Sequence, residues 1–167
     1  MKKIIVIGCP GSGKTTFSQK LSEKLGIRIF YLDAIWHKED RTHISRDEFD
    51  LALGEILKLG SWIIDGNYSR TLERRMSCCD TVIFFDLPTR VCIDGAQSRI
   101  GKKRCDIPWV DSELDPEFLR EIEEFKDRNL PAILELLDKY KDSVRTFIFK
   151  SREEADAFLA LGEAREV

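Results

Sequence analysis

Gly8-Cys9-Pro10-Gly11-Ser12-Gly13-Lys14-Thr15 fits the pattern G-x-x-x-x-G-K-[ST] in full. A string of this kind can capture a polyphosphate. Glycines at 8, 11 and 13 admit unusual backbone dihedrals and leave room for a phosphate to touch main-chain N–H groups. Those groups, together with the start of a helix, favour an anion. Lys14 supplies a point charge for β- and γ-phosphates, and Thr15 offers a hydroxyl to Mg²⁺. With Ser12 and Thr16, the expected nucleotide-binding set is Gly8, Gly11, Ser12, Gly13, Lys14, Thr15 and Thr16.

Three carboxylates close apolar runs: Asp33, Asp65 and Asp86. In an open α/β sheet, ligands lie beyond the carboxyl ends of strands, which places all three near one edge. Asp65 follows Trp62-Ile63-Ile64 directly and precedes Gly66-Asn67-Tyr68-Ser69-Arg70, a string of polar groups unlike a plain turn. It is the candidate to hold Mg²⁺, directly or through water, beside Thr15. Asp33 could hold metal, position a substrate or accept a hydroxyl proton. Asp86, before Leu87-Pro88, reads as a helix-entry residue and is left out of the site.

Phosphoryl transfer concentrates negative charge on the migrating group, so cations that close over it accelerate the step. Arg99-Ile100-Gly101-Lys102-Lys103-Arg104 opens a non-periodic excursion over about 101–115, while Arg120 and Arg128 lie on the returning helix. Arg99, Arg104 and Arg128 across this excursion, with Gly101 as hinge and Pro108-Trp109 as anchor, suit a short lid.

These groups need elements to hold them. Residues 2–7 (KKIIVI) form a β-branched run ending in Gly8, as in a strand covered on both faces. Phe17, Leu21 and Leu25 recur every four positions, the stripe of a helix from Thr15 that stops at Gly26. Further strands are expected at 28–32, 61–64, 81–85 and 144–149. Ser45 with Glu48, and Ser151 with Glu154, have capping-box spacing, and Asp115-Pro116 is a cap followed by proline at the first helical position. Pro131 must break or restart the helix that follows. Five buried-type strands alternating with helices mean an α/β fold with a parallel sheet and right-handed crossovers.

The chain has 167 residues, 43% hydrophobic and 34% charged, which suits one domain over 1–167 with a substantial core. Lys plus Arg is 27 against 30 Asp plus Glu, a net charge of −3 that counts against nucleic acid as the principal partner. The apolar stretches Ile4–Ile7 and Val82–Phe85 are too short to cross a membrane, and no signal peptide is evident. Five cysteines with no Cys-x-x-Cys point to reduced thiols in a cytoplasmic protein.

Taken together, the segments IIVIGCPGSGKTT, FYLDAIWHK, WIIDGNYSRTLERR, TVIFFDLPTR and KSREEADAFL resemble small P-loop kinases related to adenylate kinase, and more closely the DNA topology modulation or FlaR-like proteins. The resemblance runs over almost the whole chain, and DGNYSR is its most specific part. It implies a three-layer P-loop NTPase fold with strand order 2-3-1-4-5 and a short lid insertion. It also implies an acceptor site at Asp65 and Arg70 lined by Asn67 and Tyr68, lid arginines at 99, 104 and 128, and a nucleotide base near Ser151-Arg152. The insert lacks the four-cysteine zinc set of some adenylate kinases, and Trp36-His37-Lys38 replaces the adenylate kinase pattern between the second and third strands. The function expected is an ATP- and Mg²⁺-dependent phosphotransferase acting on a small acceptor, such as a nucleotide. The alternative is a nucleotide-binding regulator of DNA topology without phosphoryl transfer, with Arg70, Arg74, Arg75 and the 99–104 cluster as contact surface.

Overall fold

The computed structural model describes residues 1–161; the last six residues of the expected 1–167 domain lie outside the described residues. In chain order the elements are β1 (Lys3–Gly8), α1 (Lys14–Leu25), β2 (Ile29–Tyr31), α2 (Leu32–Trp36), α3 (Arg46–Leu57), β3 (Trp62–Asp65), α4 (Ser69–Met76), β4 (Thr81–Phe85), α5 (Thr89–Gln97), α6 (Pro116–Arg128), α7 (Leu130–Lys139), β5 (Arg145–Phe149) and α8 (Arg152–Leu161). The five strands form one parallel sheet in the order β2-β3-β1-β4-β5. This is the α/β architecture and strand order the sequence leads one to expect.

The continuous apolar runs are the central strands. Ile4 to Ile7, Trp62 to Ile64 and Val82 to Phe84 are fully buried, because helices cover both faces of the sheet. Phe17 and Leu21 of α1 and Phe49 and Leu53 of α3 pack into the same core. Register then places the chemistry. Asp65 pairs with Val6 on one side and Tyr31 on the other, so β2, β3 and β1 end nearly level. Their outgoing loops, carrying Asp33, Asp65 and the glycine-rich string, share one edge at the point where the strand order reverses.

Local signals hold well at helix ends. α1 stops at Gly26 in a left-handed conformation (φ 65°), and Ser45 and Glu48 form a reciprocal capping box on α3. Asp115 accepts from the Glu117 N–H at 2.7 Å, and α6 and α7 part at Asn129, just before Pro131. Two expectations change. The strand expected at 28–32 ends at Tyr31, because Leu32 turns into the core and opens α2, with Asp33 in its first turn facing the positive helix end. The excursion has no helix or strand but is not simply exposed. Asp106 and Ile107 are buried, since Arg104 pairs with Asp106 and Ile107 docks beside them. Among the described residues no helix is long and apolar enough to cross a membrane.

The glycine-rich loop is pressed against α5. Gly11 has φ 82°, and a Cβ there would sit 2.0 Å from the Cys92 carbonyl oxygen; a Cβ on Gly95 would sit 2.0 Å from the Gly11 carbonyl oxygen. Gly95→Ala, at an ordinary helical position, should therefore force α5 off the loop, cost about 1–3 kcal/mol and weaken nucleotide binding. Gly60→Ala, where a Cβ meets nothing within 4 Å, should cost nothing. Thermal unfolding and ATP titration of the two variants provide the comparison.

Candidate functional site

The loop between β1 and α1 wraps the start of the helix. Gly13 is the N-cap in a left-handed conformation, and Lys14 and Thr15 begin the first turn. Lys14 is buried and its Nζ donates to the Cys9 carbonyl at 2.9 Å, so the ammonium lies over the loop. Burial lowers its pKa; Asp65 opposes that shift and Arg99 adds to it. Arg152, at the start of α8, closes the loop from outside, its Nη2 donating to the Gly11 carbonyl at 3.0 Å and its Nε to that of Ser12 at 3.3 Å. The sequence places Arg152 near a nucleotide base but gives no hint that it ties down two loop carbonyls.

Thr15 Oγ1 donates to Asp65 Oδ2 at 2.8 Å, joining the helix start to the end of β3. Asp65 is 5% exposed and its Oδ1 has no hydrogen-bond partner among the described residues. Burial pushes its carboxyl up to about 6, against the pull of Lys14 and Thr15. A buried carboxylate oxygen left without a donor beside a threonine hydroxyl fits a hard cation with oxygen ligands, so the pair suits Mg²⁺.

The segment after Asp65 is held by a residue whose role the sequence does not reveal. Arg75 of α4 is fully buried, and its guanidinium donates to the carbonyls of Gly66 (2.9 Å), Asn67 and Tyr68 (3.1 Å). Burial lowers its pKa to about 9. The shaped loop then distributes its side chains. Asn67 Oδ1 accepts from the Gly8 N–H at 3.0 Å, and the Tyr68 hydroxyl donates to Asp33 Oδ1 at 2.8 Å. Tyr68 has φ 37°, a strained value for a non-glycine residue, fixed by Arg75, by Asp33 and by stacking on Phe49 at 5.0 Å. Burial and the Asp33 charge raise the phenol pKa, so Tyr68 is a donor here.

A cleft of about 810 Å³ lies over this edge, lined by Lys14, Thr15, Asp33, Asp65, Asn67 and Tyr68 on one side and by the excursion and α6 on the other. A second cavity of about 330 Å³ lies outside the loop, beside Gly11, Gly13, Thr16, Lys102 and Arg152. Arg99 lines both. It is half-buried, and burial first and Arg104 second lower its pKa. Arg104 is aimed by Asp106, which accepts from its Nε at 2.9 Å and from its Nη2. Asp106 is a site residue that sequence reasoning misses, because a single acid in a non-periodic stretch carries no signal of its partner.

Three expectations are corrected. Arg70 does not line the cleft: it makes two bonds to Asp50 of α3, at 2.8 and 2.7 Å. Arg128 reaches the mouth of the cleft but is 72% exposed and paired with Glu124 one turn earlier, so it does not join Lys14, Arg99 and Arg104. The arginine contact surface is not formed as expected, because Arg75 is interior and Arg74, like Arg70, is bonded to Asp50. Asp86 is an ion-pair partner of Lys150 and Lys126.

No protein-family profile and no curated protein matches the chain. Its fold matches shikimate kinase from Bacteroides thetaiotaomicron at a TM-score of 0.56 and 16% identity, covering 95% of this chain and 94% of that one. A gluconokinase from Sinorhizobium meliloti 1021 matches at 0.56 and 18%, covering 96% and 92%, and deoxyadenosine kinase from M. mycoides at 0.50 and 13%, covering 95% of each. The likeness establishes the fold of the small P-loop kinases.

Three variants test the site's energetics. The folded state raises the Asp65 carboxyl, so folded protein binds that proton more tightly than unfolded protein does. Stability therefore falls as pH rises through about 6. Asp65→Asn should be more stable than the parent at pH 8, on the order of 2–3 kcal/mol, with the gain vanishing near pH 4, while losing metal-dependent ATP binding. Thermal unfolding at both pH values reads the first effect. Arg75→Met should strand three carbonyls and cost at least about 3 kcal/mol, and Arg75→Lys, which lacks the planar fork, should recover little of it. Denaturant titration measures both.

Proposed function

We propose that the chain is an ATP- and Mg²⁺-dependent phosphotransferase that moves the γ-phosphoryl group to a hydroxyl of a small acceptor. The observation that carries this reading is Arg99, which lines both the cavity outside the loop and the cleft over Asp33 that Lys14 also lines. Donor nucleotide in the smaller cavity and acceptor in the larger would meet beneath that guanidinium. The three structural neighbours are named as kinases of different small molecules, which supports the reaction class and leaves the acceptor open. The kinship with FlaR-like proteins and a cytoplasmic location belong to the same proposal.

In this mechanism the loop amides, Lys14 and Arg152 fix the polyphosphate, with Arg152 acting through the Gly11 and Ser12 carbonyls it holds. Thr15 and Asp65 would hold Mg²⁺, which supplies charge neutralisation at the phosphates. Arg99 and Arg104 balance the negative charge that spreads over the phosphoryl oxygens during transfer, Arg104 from a position preset by Asp106. Asp33 accepts the acceptor's hydroxyl proton. Tyr68 donates to its Oδ1, which orients the carboxylate, and Oδ2 has no hydrogen bond among the described residues. A monophosphate acceptor arrives as an anionic nucleophile and needs no such base, whereas an alcohol benefits from one within hydrogen-bond reach.

Purified protein with Mg-ATP and a panel of nucleoside monophosphates and small alcohols should release ADP only when a suitable acceptor is present, with the phosphorylated product detected by mass. Lys14→Ala should abolish the signal. Asp33→Asn should lower kcat for an alcohol by about 10²-fold or more while leaving the KM for ATP near its parent value. ADP release that is the same with every compound and with none would overturn the reading.

A further inference from the structure

We propose that Cys9 of the glycine-rich loop and Cys92 of α5 are a reversible dithiol–disulfide pair, through which a peroxide lowers the affinity of the loop for nucleotide. The inference goes beyond phosphoryl transfer and rests only on the nucleotide-binding part of the reading above. All five cysteines are free thiols, and Cys9 and Cys92 are both buried. The Cys9 thiol shares a hydrogen bond with that of Cys92 and also lies 3.8 Å from the Ile122 carbonyl oxygen of α6. The other three have no such partner. Cys78 and Cys79 are neighbours in sequence, a poor geometry for a bridge, and Cys105 accepts from Gln19 at 2.9 Å.

The backbone suits the bond. Loop and helix approach so closely that a Cβ on Gly11 would sit 2.0 Å from the Cys92 carbonyl oxygen, and one on Gly95 would sit 2.0 Å from that of Gly11. Cys9, two residues before Gly11, therefore meets α5 where the two backbones already touch. Joining the sulfurs asks for side-chain movement more than for backbone travel.

Of the two thiols Cys92 is the nucleophile. The hydrogen bond from Cys9 lowers its pKa, burial opposes this, and the charges of Lys14, Arg152 and Lys126 lower it further. The same hydrogen bond first, and burial second, keep Cys9 protonated. Electropositive surroundings of this kind separate a reactive thiol from an inert one. Access runs through the cleft: Pro10 beside Cys9, Ala96 one turn from Cys92 and Phe125 one turn from Ile122 all line it, so a local opening of that wall admits a small peroxide. The Cys92 thiolate attacks one peroxide oxygen, the O–O bond breaks, and a sulfenic acid forms as hydroxide leaves. The Cys9 sulfur then attacks the Cys92 sulfur, and its proton departs with the sulfenic hydroxyl as water. Two thiols are oxidised, hydrogen peroxide is reduced to two waters, and a dithiol reverses the bond.

The consequence is felt at the Cys9 main chain. Its carbonyl accepts from Lys14 Nζ at 2.9 Å and from the Ser12 N–H at 3.2 Å. A nucleotide has to draw that ammonium toward its phosphates, and the loop has to yield around it. With its side chain tied to α5, Cys9 holds the loop and Lys14 in the arrangement of the empty protein.

The test treats the whole chain with hydrogen peroxide, followed by peptide mapping without reductant and by calorimetric titration with Mg-ATP. Mapping should find residues 9 and 92 linked, ATP affinity should fall by at least about tenfold, and dithiothreitol should restore it. Linkage demands the reverse effect. Saturating Mg-ATP should shift the equilibrium of the bond with a glutathione redox buffer toward the dithiol by the same factor, about 30 mV for tenfold. Cys92→Ala should bind ATP as the parent does and lose the peroxide response, while Cys78→Ser and Cys105→Ser should keep it. A linkage other than 9 to 92, an affinity unchanged by the bond, or a response that persists in Cys92→Ala would overturn the proposal. Mapping and titration of the parent decide it even where a variant fails to fold. Reduced protein that binds no Mg-ATP would instead sink the nucleotide reading, an outcome distinct from failure of the switch, in which reduced protein binds ATP and oxidation changes nothing.

Discussion

A single buried guanidinium sets the shape of the site. Among the described residues no carboxylate is bonded to Arg75; it is compensated by three carbonyls, those of Gly66, Asn67 and Tyr68. Burying such a charge is expensive, and the lowered pKa of about 9 records that expense. What it secures is a loop that could not otherwise hold its conformation, since Tyr68 sits at a positive φ and the segment has few bonds of its own. From that loop three contacts leave for three elements: Asp65 to Thr15 of α1, Asn67 to the amide of Gly8, and Tyr68 to Asp33. The glycine-rich loop, the Thr15–Asp65 pair and Asp33 are thus registered to one another through the segment that Arg75 of α4 holds.

The second organising feature is crowding of like charge. Burial first lowers the proton affinity of Lys14 and Arg99, and Arg99 adds to the shift on Lys14 as Arg104 adds to that on Arg99, while Arg104 itself, bonded to Asp106, is raised. On the other side Asp65 is raised, and Glu121 with it. A protein selected only for stability would not keep these groups. A polyphosphate and a hard cation would relieve the conflicts at the loop and at Asp65, and on the kinase reading proposed above little further chemistry is needed, because positioning and electrostatics dominate phosphoryl transfer. The cost of the empty site is the counterpart of affinity for what fills it.

Edges of the fold show the same logic in a milder form. Arg145 and Ile148 of β5 are exposed and β2 is only three residues long, while β3, β4 and β1 from Ile4 onward are buried. The cleft therefore rests on the buried centre of the sheet, and the excursion and α6 form its opposite wall. The close contact of Gly11 with α5 ties the loop itself to a helix of the same layer structure.

The sequence by itself determined the strand order of chemistry along the chain: the glycine-rich string between a buried strand and an amphipathic helix, Asp65 at the end of an apolar run, and helix caps such as Ser45 with Glu48. Each of these is local, because backbone dihedrals, capping bonds and burial periodicity depend on residues a few positions apart. Only the tertiary structure decided the partners of long, flexible side chains. Arg75 turned inward while Arg70, five residues before, went to Asp50; Arg104 found Asp106; Arg152 found the loop carbonyls; Arg128 stayed with Glu124. An arginine reaches several ångströms in any of several rotamers, so its place is set by which carboxylates and carbonyls the fold brings near, and that information is spread across the whole chain.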